Sequence, residues 1–135
     1  MEDKGAEKRE CKRFAIPGAT VSYEHKKGTE EFSQVIDMSR AGIKYQSDNS
    51  LAINSELTFK ISIPGETIPL ILTGQVRWIT FDEEKKKYLV GIQFNPYGEK
   101  SGQNYPGNLV KIIALEQKFS TAQEFESDQY EIDIE

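Results

Sequence analysis

Leu57-Thr58-Phe59-Lys60-Ile61-Ser62-Ile63 sets an apolar side chain at every second position and a polar one between, then stops at Pro64-Gly65. In an extended chain a period of two gathers the apolar residues on one face, which predicts a half-buried β-strand. Similar short runs flank it. Upstream, Phe14 to Tyr23 is β-rich but interrupted by Pro17-Gly18, as at an edge or a kink. Phe32 to Asp37 and Gly42 to Gln46 follow, each bounded by polar turn residues. Downstream, Leu70 to Phe81 and Tyr88 to Phe94 form a pair of β-rich arms around the hydrophilic loop Asp82-Glu83-Glu84-Lys85-Lys86-Lys87.

Six short strands, most with one apolar face, need two packed sheets or a closed barrel to hide that face, and a small barrel is favoured. The period changes after Phe94. A loop rich in Gly, Pro and Asn leads to Asn104-Tyr105-Pro106, an N-cap candidate with Pro in the first turn. Beyond it Leu109, Ile112, Ile113 and Phe119 recur at helical spacing, with Lys111, Gln117 and Lys118 on the other side, which predicts an amphipathic helix packed on the barrel. The acidic segment after it is expected as a solvated tail, although Tyr130 to Ile134 alternates and also fits an extra strand.

The chain has 135 residues, the size of one domain at about 100–150 residues each, and its 37% hydrophobic content suffices for a core. Lys and Arg number 17 against 22 Asp and Glu, a net charge of -5. That balance disfavours a long polyanion such as duplex DNA. It is unevenly spread, because Glu124, Glu126, Asp128, Glu131, Asp133 and Glu135 stand in a segment with no Lys or Arg, leaving the preceding residues nearly balanced. The densest positive cluster is Lys8-Arg9-Glu10-Cys11-Lys12-Arg13, the first place to seek anion binding.

A lone Cys11 forms no intramolecular disulfide, and a lone His25 cannot complete the usual Cys/His zinc set. The first residues lack an apolar signal core and no apolar run approaches the roughly 20 residues of a membrane span, so the expectation is a cytoplasmic protein without membrane insertion. No phosphate-cradling glycine loop or nucleophile elbow is present, which argues against an enzyme.

Two motifs carry the chemistry. Arg9-x-x-x-Arg13 precedes the first β-rich run, and residues four apart share a side in a strand or a helix, so both guanidinium groups can converge on one ligand. Arg offers a planar fork that matches phosphate, stacks on bases and pairs with the O6/N7 edge of guanine. Asp37-Met38-Ser39-Arg40-Ala41-Gly42 lies between two β-like runs. Its Asp can accept from a guanine N1–H and amino group, Ser39 is a small donor and acceptor, and Gly42 permits positive φ or close approach of a ligand. Singly, each is also ordinary turn or solvated-surface chemistry.

Together and in this order, with the paired segments around Val76-Arg77-Trp78 and Tyr88 to Phe94, they resemble a PilZ domain over about residues 8–119. The resemblance implies a mainly β fold, a six-stranded antiparallel β-barrel with a C-terminal α-helix. It implies a bacterial receptor for cyclic di-GMP in which Arg9 and Arg13 clamp phosphate and guanine while Asp37, Ser39 and Gly42 receive a base. Lys8, just before the first motif, is the basic residue that in this family favours an intercalated ligand dimer, and Arg40 is a candidate further cation. The implied organisation is a flexible segment over 1–7, a clamp over 8–13, a barrel over 14–94, a helix over about 105–119 and an acidic tail over 120–135. A stand-alone receptor of this kind needs no cofactor and signals through a separate, unidentified protein partner.

Two other readings share the barrel and basic arm: a single-stranded RNA binder, which lacks a discriminating motif here, and a PilZ-like adaptor blind to nucleotide, against which the intact motifs argue. Trp78 beside Arg77 fits either a stacking platform or the core, the core being the commoner place for one Trp on a strand.

Overall fold

The computed structural model describes residues 12–26 and 28–134, with side chains over 12–120 apart from 25–27 and 29. Six strands follow one another: β1 (Thr20–Lys26), β2 (Thr29–Met38), β3 (Gly42–Ser47), β4 (Glu56–Ser62), β5 (Leu70–Asp82) and β6 (Lys87–Phe94). They close into an antiparallel barrel in the order β1-β2-β3-β6-β5-β4, and one helix, α1 (Pro106–Ile134), follows. Pairing of β1 with β4, Val21 opposite Ile61, closes the ring and leaves no open sheet edge.

The alternation in β4 holds. Phe59 and Ile61 are fully buried, with Lys60 and Ser62 outside. Phe59 meets Tyr23 of β1 and Tyr45 of β3 at ring-centroid distances of 5.7 and 5.9 Å, and these edge-on contacts fill the barrel interior. The first β-rich segment is divided where Pro17-Gly18 stands. Phe14 makes a single antiparallel bridge to Met38, the chain turns with Gly18 at φ +84°, and β1 begins only at Thr20.

Ser47 Oγ donates to the Asn49 carbonyl at 2.9 Å, so the Tyr23 hydroxyl donates to Ser47 at 3.3 Å. The Tyr45 hydroxyl is buried with no hydrogen-bonding partner among the described residues. Burial, and behind it the neighbouring Tyr23 phenol, pushes the Tyr45 phenol far up. A phenol whose ionisation is suppressed by folding stabilises fully below its unfolded pKa of about 10 and less as pH rises beyond it. Tyr45→Phe is therefore expected to be at least as stable as wild type at neutral pH, by up to about 1 kcal/mol, and to lose stability less steeply above about pH 10. Urea denaturation at pH 7 and pH 10.5 checks both signs, pH 10.5 being roughly half a unit above that pKa.

Pro106 occupies the first helical position of α1, where its missing N–H is no loss. Asn104 does not cap the helix. Buried, it donates through Nδ2 to the carbonyls of Thr73 and Asn95 and accepts from the Thr73 N–H, stitching the loop after β6 to β5. α1 packs through Ile112, with Leu115 and Phe119 half-buried and Lys111, Gln117 and Lys118 outside. Its backbone runs on through the segment expected as an acidic tail, because no Gly or Pro occurs from Asn108 to Glu135 to stop it. Among the described residues, no helix is long and apolar enough to cross a membrane, and no three His, Cys, Asp or Glu converge as a metal site.

Candidate functional site

The bridge between Phe14 and Met38 brings the two motifs together. Both side chains are buried, and reciprocal N–H to carbonyl bonds of 2.9 and 3.0 Å hold their backbones side by side. The preceding residue on each segment is then carried to the surface at one place. There Arg13 Nε donates to Asp37 Oδ1 at 2.6 Å, and Lys44 Nζ stands 3.6 Å from Asp37 Oδ2. With Nε committed, no hydrogen bond to either terminal nitrogen of Arg13 occurs among the described residues. The pair is exposed enough to contribute only about 0–1 kcal/mol to stability, so its use is positional.

A cleft of about 420 Å³ opens beside it, lined among others by Arg13, Gly42, Lys44, Arg77, Trp78 and Gln93. Among the described residues three cations line this cleft, Arg13, Lys44 and Arg77, and Asp37 pairs with the first two. Arg77 donates to the neutral amide oxygens of Gln93 at 2.5 Å and Asn54 at 3.1 Å, which fixes its guanidinium without cancelling its charge. Among the described residues no carboxylate pairs with Arg77, and an oriented fork of donors of this kind suits a phosphodiester.

Trp78 belongs to this cleft rather than to the core. Along β5 the inward positions are Leu70, Leu72, Gly74 and Val76, but a bulge between Val76 and Trp78 resets the alternation, and Arg77 and Trp78 both face outward. The indole, 42% exposed, lies across Gly91 of β6. A Cβ at Gly91 would stand 2.2 Å from the indole nitrogen, so only glycine lets the ring rest there as a stacking surface.

The Asp37–Gly42 motif divides its labour. Ser39, 1% exposed, accepts the Ala41 N–H on Oγ at 3.1 Å, and its own N–H donates to the Gly42 carbonyl at 2.8 Å, so it shapes the turn from beneath. Gly42 lines the cleft with φ outside the positive range; a Cβ there would stand 2.1 Å from the Ile92 carbonyl oxygen, so the close approach is by β6. The Arg40 side chain turns away to Glu116 of α1, with Nε 3.0 Å from Oε1. Lys8, Arg9 and Cys11 lie outside the described residues.

Lys44 and Gln93 were not singled out in the sequence. Lys44 holds an outward position of β3 two residues after Gly42, a signal the alternation carries. Gln93 enters only because β3 pairs with β6, Gly42 opposite Gln93, a register no local pattern reveals.

The PilZ domain family model matches residues 7–106. No curated protein sequence matches the chain. Similar solved structures include the inhibitor of motility MotI/DgrA of Bacillus subtilis, at TM-score 0.61 and 18% identity over 79% of this chain and 48% of that one. The K. pneumonia MrkH–c-di-GMP complex gives 0.64 and 15% over 86% and 55%. The PilZ domain of YcgR from Escherichia coli with c-di-GMP gives 0.63 and 10% over 89% and 97%. This chain thus spans about half the length of the first two, and the likeness to all three is one of fold.

Proposed function

Because this chain belongs to the PilZ domain family, we propose that it is a receptor for cyclic di-GMP, binding the dinucleotide in the cleft beside Asp37. The carrying observation is the Arg13–Asp37 pair, which joins the two motifs at a cleft holding three cations and a half-exposed indole. Cyclic di-GMP has two negative phosphodiesters and two purines. Arg13 and Arg77 meet the first with oriented guanidinium forks, and Lys44 adds a point charge. Trp78 offers a stacking face to a guanine, and the Arg13 terminal nitrogens suit either a phosphate or the guanine O6/N7 edge. Asp37 holds Arg13 in register, while Ser39 and Gly42 set the turn that carries it. Cyclic di-GMP in the MrkH and YcgR structures supports this assignment of ligand.

Arg9 completes the clamp in this reading, and Lys8 favours an intercalated ligand dimer. The function is binding, relayed to a protein partner. Calorimetric titration with cyclic di-GMP, against linear RNA as control, tests it: saturable binding near two ligands per chain is expected. One ligand per chain would remove the dimer, and preference for the RNA would replace the receptor with a single-strand binder.

A further inference from the structure

Arg40 lies within the second motif, yet its guanidinium faces the helix. Its Nε donates to Glu116 Oε1 at 3.0 Å, and Glu116 is only 8% exposed, one turn beyond the fully buried Ile112. The Arg40 carbonyl accepts the Tyr97 hydroxyl at 2.7 Å, and the adjoining Ala41 carbonyl accepts the Phe94 N–H at 2.7 Å. One turn is thus held to the end of β6, to the loop after it and to α1. A carboxylate so far out of water needs a cation, and removing Arg40 leaves Glu116 without compensation, whereas Arg40, its side chain 42% exposed, returns to water when Glu116 is removed and the turn loses its tie to the helix. Arg40 is therefore committed to Glu116 in a way that Arg77, held by two neutral amides, is not committed to its neighbours.

We propose that Arg40 is a positioning residue: through Glu116 it fixes the Asp37–Gly42 turn against α1, so that the seating of the helix and the shape of the cleft depend on each other. The ligand consequence rests on the cyclic di-GMP reading. If the turn is set from the helix, Glu116, which does not line the cleft, governs affinity, and by reciprocity ligand binding steadies the helix.

The test has a ligand-free arm and a ligand arm. In the free protein, Glu116→Ala is expected to raise amide hydrogen exchange at Ala41 and Phe94 several-fold, while Lys118→Ala, on the outside of the same helix, leaves both unchanged. In titrations, Arg40→Ala and Glu116→Ala each weaken cyclic di-GMP binding about 10-fold, and the double variant no more than either single, because both remove one link. Arg40→Lys, which keeps the cation, stays within about 3-fold of wild type, less than 1 kcal/mol. Exchange unchanged in Glu116→Ala overturns the proposal. So does an affinity loss in Arg40→Ala with none in Glu116→Ala, which would make Arg40 a ligand contact. A wild-type protein that does not bind cyclic di-GMP defeats the ligand reading alone, and the exchange arm still decides whether the helix sets the turn.

Discussion

Arg13→Ala is expected to bind cyclic di-GMP at least about 100-fold more weakly than wild type while melting at nearly the same temperature. The fork is positioned for two charge-assisted hydrogen bonds, worth about 1.5–3 kcal/mol each, and about 2.7 kcal/mol is 100-fold in affinity. Its ion pair with Asp37 has a side chain nearly half exposed, so its loss costs the fold little, about 0–1 kcal/mol. Arg13→Lys keeps the charge but not the planar fork and should recover only part of the loss, remaining about 10-fold weak. Lys85→Ala, in the exposed loop between β5 and β6, should bind as wild type does. Calorimetry for affinity and thermal denaturation for stability separate the two effects; equal losses in both would mean that Arg13 serves the fold.

Gly42→Ala acts in the opposite sense, on the fold first. Its added Cβ would lie 2.1 Å from the carbonyl oxygen of Ile92, and 3.2 Å from that carbonyl carbon, so backbone rather than a side chain has to give. Gly42 is the first residue of β3 and pairs with Gln93, and the displacement falls on the β3–β6 ladder and on the turn beneath the cleft. Overpacking against a rigid neighbour costs about 3 kcal/mol here, at the upper end of such effects. For a domain of this size that lowers the melting temperature by roughly 10 °C. Gly91→Ala makes a contact just as short, but with the indole of Trp78, a side chain that can swing away. A circular-dichroism melt of both variants should find Gly42→Ala much the less stable.

The barrel was legible because its strands carry their instructions locally. Phe59 and Ile61 alternate with Lys60 and Ser62, and such runs, bounded by Pro-Gly and polar turns, need a closed sheet to bury one face. The motif arginine and aspartate were legible as chemistry, and the Phe14–Met38 bridge shows why Arg13 and Asp37, far apart in sequence, meet. Trp78 was harder: strict alternation in β5 offers no sign of the bulge that turns Arg77 and Trp78 outward together. Gly42 was read for its own φ or for a ligand, whereas the demand comes from Ile92 on a strand fifty residues away. Arg40 looked like one more cation, and only the packing of α1 reveals the buried carboxylate that claims it.

The central claim is that cyclic di-GMP occupies the cleft where Arg13 and Asp37 meet. Its most direct test is an NMR titration of the full chain with cyclic di-GMP, followed at the Trp78 indole N–H and the backbone amides. The account predicts saturable shifts concentrated at Gly42, Lys44, Arg77, Trp78 and Gln93, on one face of β3, β5 and β6. Shifts centred instead on the apolar groove between Ile68 and Leu115, on the side where α1 meets the barrel, would contradict it, as would no shift at saturating ligand.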